Sequence, residues 1–333
     1  MRLVQYLSTD GKRRVGLVQE HAAVLTILRD AVRVYDLALE AWEKRVKLEE
    51  IVRERQSDQV EDYAAVVADR RLLPPLDHPD PAHCYVSGTG LTHLGSAQAR
   101  DEMHVKQDIP AAELTDSMRM FQWGLQGGQP GVGEIGVQPE WFYKGNGYTV
   151  VAPEHALELP PFALDGGEEA ELVGLYVIAA PGTVLRVGFA LGNEFSDHVM
   201  ERQNYLYLAH SKLRRCSMGP ELRVGTLPTS ISGRVRILRG SETLWSDTFL
   251  TGEDHMSHTI ANLEHHHFKY AVFRQVGDVH CHFFGTGTLS SAAGVVPQPG
   301  DLFEISSPVF GRPLRNRLAR VEQTERLVAV ETL

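Results

Sequence analysis

Glu169 and Glu171 flank Ala170 at the start of the apolar run Leu172–Ile178. On an extended strand, residues two apart point to the same side, so these two carboxylates stand together at the mouth of a buried strand. Like charges at that separation repel, and a cation is the natural way to keep both ionised. A third carboxylate follows in Leu191-Gly192-Asn193-Glu194-Phe195-Ser196-Asp197-His198. Three carboxylates, with further positions left to water or substrate, suit Mg²⁺ or Mn²⁺, hard cations that prefer oxygen. Asp197 and His198, just after the third carboxylate, are placed to hydrogen-bond to ligands or to start a helix. His255, His258 and the run His265-His266-His267 beside Glu264 form a weaker set. Consecutive residues on a regular element cannot all face one metal, so structural or subunit contacts are expected there. Cys216 follows Arg214-Arg215, and Cys281 lies between His280 and His282. On a strand those two histidines face away from Cys281, and both thiols are expected to pack rather than react.

These residues must be held by a scaffold, and the chain divides into two stretches. In residues 1–75, Leu3–Leu7 and Val15–Val18 flank Thr9-Asp10-Gly11, which predicts a hairpin. From about Ile27 to Arg55, apolar residues recur at three- to five-residue steps among Arg, Glu and Lys, which predicts one or two amphipathic helices. Leu73-Pro74-Pro75 breaks the helical pattern. The expected organisation is a small N-terminal α/β domain, 1–75, and a larger catalytic body, 76–333. In the body, short apolar runs alternate with turn signals such as Asp165-Gly166-Gly167, Pro181-Gly182 and Pro299-Gly300-Asp301. The runs are Val150–Val151, Leu172–Ile178, Val184–Ala190, Val235–Leu238, Val279–Phe284 and Leu302–Ile305. Long helices do not alternate regularly with strands, which argues for a β-rich α+β fold over a doubly wound or barrel fold.

The chain has 333 residues, with 33 Lys+Arg against 43 Asp+Glu and a formal net charge of −10. That balance argues against nucleic acid or an anionic membrane as the main partner, since both need clustered cations. The three cysteines are far apart and form no CxxC pair, so reduced thiols are expected. The opening residues reach charge too early for a signal peptide, and no apolar run nears the ~20 residues of a membrane helix. A cytoplasmic location is the expectation.

Read together, Glu169-Ala170-Glu171-Leu172, Gly192-Asn193-Glu194-Phe195-Ser196, Lys212, Gly285-Thr286-Gly287-Thr288 and Pro299-Gly300-Asp301 resemble the fumarylacetoacetate hydrolase superfamily in order and spacing. The resemblance covers roughly residues 80–320. The stretch from Asn204 to Lys212, ending near Gly219-Pro220, is similar to the sugar-acid branch, which includes 2-keto-3-deoxypentonate dehydratases. It implies a mixed β-roll catalytic domain, a homodimer, and one divalent cation, Mg²⁺ or Mn²⁺, per site. Carried over, the metal ligands are Glu169, Glu171 and Glu194, the last standing where the family has Asp. Lys212 matches the lysine beside the substrate's oxo group, while Thr288, Gly287 and Lys144 match substrate-binding positions. His93, in Gly88-Thr89-Gly90-Leu91-Thr92-His93, stands at the position of the catalytic histidine of the family's lid. The glutamate that hydrolases carry three residues later is Ser96 here, with Glu102 or His104 as possible substitutes.

The resemblance implies a site that grips a 2-oxo acid and stabilises negative charge formed at C3. With a hydroxyl at C4 the outcome is dehydration; a 2-keto-3-deoxypentonate, such as 2-keto-3-deoxy-L-arabinonate, gives 2,5-dioxopentanoate. With a carbonyl at C4 the outcome is hydrolysis of the C3–C4 bond, as in an acylpyruvate. Hydrolysis needs a base for water, and Ser96 weakens that route. A sugar-acid-binding protein without turnover is the third alternative.

Overall fold

A computed structural model describes residues 1–19, 23–95 and 115–333. Ser96, Glu102 and His104 lie outside the described residues. The N-terminal part is an antiparallel meander of β1 (Arg2–Leu7), β2 (Arg13–Val18) and β3 (Val24–Leu28), followed by α1 (Val34–Lys44) and α2 (Leu48–Glu54). Then come β4 (Gln56–Asp62), which pairs with β3, and α3 (Tyr63–Ala68). The expected hairpin is β1–β2. The helical stretch begins later than its periodicity suggests, because Ile27 and Leu28 belong to β3, where pairing with β2 outcompetes local helical preference.

The larger part contributes β5 (Cys84–Gly88), α4 (Asp116–Gly127), β6 (Phe142–Asn146), β7 (Val150–Val151) and β8 (Leu157–Leu159). It continues with β9 (Ala170–Ala180), β10 (Thr183–Asn193), α5 (His198–Gln203), α6 (Leu208–Lys212), β11 (Cys216–Met218) and β12 (Leu222–Arg223). The remainder is β13 (Ile231–Arg239), β14 (Glu242–Thr251), α7 (Ile260–Phe268), β15 (Val279–Phe283), β16 (Leu302–Ser306) and β17 (Leu314–Arg320). All six apolar runs singled out in the sequence coincide with strands, Phe284 alone falling just beyond the end of β15.

Two mixed sheets make the body of a sheet-rich α+β fold. The larger runs β4-β3-β2-β1-β12-β10-β9-β15-β5-β6, with β11 and β7 attached beside β10. The smaller runs β14-β13-β16-β17-β8. The N-terminal meander joins the large sheet through β1 and β12, and one hydrophobic cluster runs from Leu3, Val34 and Leu37 to Val173, Val177 and Val279.

Strand β9 is the spine. Val173, Leu175 and Val177 face the cluster under α1, while Leu172, Tyr176 and Ile178 pack against Val235, Phe249 and Ile305 of the small sheet. Burial on both faces explains a continuous apolar run where a one-sided strand would alternate. The turn at Pro181-Gly182 folds β10 back on β9, and Gly182 takes a φ of 77°, which suits glycine. This hairpin sets up the site: Glu171 lies opposite Gly192, and the Glu194 N–H donates to the Glu169 carbonyl at 3.0 Å.

Candidate active site

The three carboxylates meet. One oxygen from each of Glu169, Glu171 and Glu194 lies within 4.8 Å of the others, and all three residues are buried. They sit at one end of the β9–β10 hairpin, the first two separated by one strand residue and the third supplied by the returning strand. The Asn193 amide oxygen, accepting from Glu169 N at 3.3 Å and Phe195 N at 3.1 Å, locks the point where β10 ends.

Lysines neutralise part of this charge. The Lys212 ammonium, from the end of α6, contacts Glu169 Oε1 at 2.5 Å and Glu194 Oε2 at 2.6 Å. It also lies 5.0 Å from the centroid of the Phe142 ring, within cation–π range. Lys144, on β6, is fully buried, and its ammonium lies 2.5 Å from Glu194 Oε1. It donates further to the carbonyls of Phe195 at 2.7 Å and Lys212 at 3.0 Å. His198 Nε2 is 3.1 Å from Glu169 Oε1, and the Ser196 hydroxyl donates to Glu194 Oε2 at 2.8 Å.

The electrostatics are uneven. Burial alone would raise all three carboxyl pKa values, but the Lys212 charge and His198 hold Glu169 well below the usual carboxylate range. Burial and then the charges of Glu194 and Glu169 push Glu171 well above it. Glu194 is also raised, by burial and Glu169, with Lys144 and Lys212 opposing. Burial would lower Lys212, yet Glu169 and Glu194 carry it well above its ordinary value. Glu171 therefore carries the charge least compensated by the protein; the one protein hydrogen bond it accepts among the described residues comes from the Gly285 N–H, at 2.7 Å. This donor set, oxygen-only, anionic and short of positive charge at Glu171, fits a hard divalent cation.

Gly285 follows β15 and shows why the glycine-rich run matters. Its φ is 89°, and a Cβ there would come within 2.4 Å of Thr92 Oγ1 and 2.8 Å of the Thr89 carbonyl. The Gly88–His93 loop thus lies directly over Gly285. Gly287 closes on the same loop, its carbonyl lying 3.7 Å from where a Cβ on Gly95 would stand. The Thr288 hydroxyl donates to the Thr248 carbonyl of β14 at 3.3 Å.

His93 is brought next to Gly285, with Nδ1 3.1 Å from the Thr92 hydroxyl and Nε2 2.9 Å from the Thr251 hydroxyl. Burial, reinforced by His255, lowers its pKa to about 3, so the ring is neutral near pH 7. Lys144 lies beneath Glu194, ringed by protein acceptors, which leaves no exposed face for a ligand.

Other groups matter that motif reading passed over. Glu140 is 4% exposed, and its Oε1 accepts from the Tyr205 hydroxyl at 2.5 Å. Its Oε2 abuts Gly90 of the His93 loop, and the residue two further on is Phe142, beneath the Lys212 ammonium. Pro139-Glu140-Trp141 carries no recognisable spacing to the other carboxylates, so only the fold reveals this placement. Glu168 is buried away from the triad's lysines and accepts from the Ser290 N–H and hydroxyl at 2.9 and 2.7 Å. Asp197 caps α5 through Met200 N and pairs with Arg214 at 2.9 Å, whereas His198 reaches the carboxylates.

Of the α7 and β15 histidines, His266, His267, His280 and His282 are buried and His265 is exposed. His267 Nε2 is 3.0 Å from His280 Nδ1 and accepts at Nδ1 from the Trp141 indole at 3.2 Å, while His282 meets the Ser87 hydroxyl at 2.8 Å. His266 contacts the Gly136 carbonyl and His255 the Ser230 hydroxyl. Among the described residues, the three glutamates are the only metal-compatible group. Cys281 faces the apolar cluster opposite His280 and His282, and burial pushes Cys216 up to about 12.

A scan of protein-family models and a search of curated proteins find no match to the sequence. Solved structures do match. A hexagonal crystal form of 2-keto-3-deoxyarabinonate dehydratase superposes with a TM-score of 0.70 at 14% identity, over 97% of this chain and 100% of that one. A 2-keto-3-deoxy-D-arabinonate dehydratase complexed with magnesium and 2,5-dioxopentanoate gives 0.66 at 15%, with the same coverage. A 2-hydroxyhepta-2,4-diene-1,7-dioate isomerase from Mycobacterium marinum gives 0.58 at 16%, over 97% and 100%. No helix among the described residues is long and apolar enough to cross a membrane. The chain therefore shares the fold of these enzymes, the fumarylacetoacetate hydrolase-type fold that its motifs resemble.

Proposed function

We propose that this protein is a divalent-metal-dependent dehydratase of a 2-keto-3-deoxy sugar acid, with a pentonate as substrate, 2,5-dioxopentanoate as product and a homodimer as the working unit. The observation that carries the reading is the convergence of Glu169, Glu171 and Glu194 beside Lys212, on a fold shared with dehydratases of this class. Glu169, Glu171 and Glu194 would hold Mg²⁺ or Mn²⁺. When bound, the cation supplies Lewis acidity, polarising a 2-oxo acid and favouring loss of a C3 proton.

The chain's own groups then divide the labour. Lys212 keeps a fixed positive charge at the carboxylates, where a substrate oxyanion also gains from it. Loss of the C3 proton to a base and of the C4 hydroxyl as water forms the C3–C4 double bond. Proton transfer from C5 to C3 then moves the double bond to C4–C5, and the enol so formed gives the C5 aldehyde when its hydroxyl proton is lost and C4 is protonated. A base and an acid are needed, and Ser96 removes the usual glutamate. Glu140, a buried carboxylate between the His93 loop and Tyr205, is proposed to fill that role, with His93 ordering the loop.

Purified protein with Mg²⁺ and 2-keto-3-deoxypentonate should release one aldehyde per substrate consumed, detectable by coupled semialdehyde oxidation. Release of pyruvate with a second acid from an acylpyruvate would replace this reading with the hydrolase. Ligand-induced thermal stabilisation with no turnover of either class would leave a binding protein.

A further inference from the structure

Lys144 stands where the family resemblance implies a substrate contact, and its immediate neighbours here are protein acceptors. The side chain is 0% exposed, and the ammonium has three acceptors around it: Glu194 Oε1 at 2.5 Å, the Phe195 carbonyl at 2.7 Å and the Lys212 carbonyl at 3.0 Å. The two carbonyls accept hydrogen bonds from the ammonium, and Glu194 Oε1 holds it as an ion pair. Each acceptor belongs to a different part of the site. Glu194 is the carboxylate at the end of β10. Phe195 is the next residue, at a φ of 24° that non-glycine residues rarely adopt. Lys212 is the last residue of α6, and its side chain bridges Glu169 and Glu194.

We propose that Lys144 is a positioning residue: one buried ammonium that pins the turn after β10 and the end of α6, and so fixes both Glu194 and Lys212 toward the carboxylate centre. The two oxygens of Glu194 are divided, Oε1 to Lys144 and Oε2 to Lys212 and Ser196. A lysine suits the role because three donors radiate from one atom, whereas the planar guanidinium of arginine is larger and spreads its donors in a fork.

The inference rests on the metal-centre reading above but not on the substrate. The test is Mn²⁺ binding by electron paramagnetic resonance together with steady-state kinetics on Lys144→Met and Lys144→Arg. Loss of an orienting partner of this kind typically weakens metal binding or activity about 10–100-fold. Both variants should show a Mn²⁺ affinity loss in that range and a fall in kcat with KM nearly unchanged. Unchanged Mn²⁺ affinity with a raised KM would assign Lys144 to substrate and overturn the proposal. Should Lys144→Met not fold, the double variant Lys144→Met/Glu194→Gln removes the stranded charge; recovery of a cooperative thermal transition supports the pairing, and continued failure to fold overturns it. Wild-type protein that binds Mn²⁺ but turns over no 2-oxo acid removes the dehydratase reading and leaves the Mn²⁺ comparison intact.

Discussion

Glu171 carries an electrostatic conflict that the protein leaves largely unrelieved. It is buried, raised by two neighbouring carboxylates, and hydrogen-bonded by one backbone N–H. Replacing Glu171 with Gln keeps the volume and removes one charge from the cation's ligand set. Metal-dependent turnover should be abolished, while the thermal midpoint in chelator should stay unchanged or rise, because a poorly compensated buried charge is gone. Normal turnover with added Mg²⁺ means that the ligand assignment is wrong. The acid–base role divides in the same way between two side chains. Glu140→Gln should lower kcat at least ~10²-fold, the lower range for general acid–base catalysis. His93→Asn, which keeps a polar group near Thr92 and Thr251, should cost less than Glu140→Gln. The reverse ranking would return the role to the lid histidine.

At the scale of elements, the site is a product of one hairpin and one tight turn. Strands β9 and β10 bring Glu194 opposite Glu169, and the turn after β15 presents a backbone N–H to Glu171. Gly285→Ala should disturb both position and stability. A Cβ at a φ of 89° would press on Thr92 Oγ1 at 2.4 Å and the Thr89 carbonyl at 2.8 Å. The expected destabilisation is about 1–3 kcal/mol, the usual cost of such backbone strain, read from urea unfolding. Metal affinity should fall in parallel, since the N–H to Glu171 moves with the loop. Wild-type behaviour in both measurements would mean that the loop yields without cost. The expected second helix and hairpin formed as their periodicity indicates, but β3 absorbed the start of the helical pattern. Strand pairing is non-local, and a five-residue apolar segment reads equally well either way.

The whole molecule carries a buried histidine network that sets its response to acid. Burial lowers His280 and His282 from 6.5 to about 3, and burial with its histidine neighbours puts His267 well below its ordinary value. In the unfolded chain these groups protonate near 6.5, and in the folded chain they stay neutral until about pH 3. Their contribution is therefore fully present above pH 6.5 and is lost as pH falls through that window. Each lowers stability by about 1.4 kcal/mol per pH unit where only the unfolded state is protonated. Urea midpoints between pH 7 and pH 5 should fall, and His282→Phe should remove part of the slope. An unchanged slope in the variant would show that other groups set the acid response.

Much of the site was legible in residue order. The alternation of side chains along a strand is local, so Glu169-Ala170-Glu171 before an apolar run already places two carboxylates on one side. The Asn193-Glu194 pair and Lys212 could be picked out because their order resembles a known pattern. Burial of β9 on both faces was equally readable, as an unbroken apolar run. What the tertiary structure decided depends on contacts between distant segments. The register of β9 against β10 sets which carboxylate oxygens meet. The burial of Lys144 among protein acceptors and the contact of the Gly88–His93 loop with Gly285 and Glu140 both depend on the fold. Spacing along a chain encodes local direction, but proximity, desolvation and charge compensation arise only once separate strands and loops share the same few ångströms.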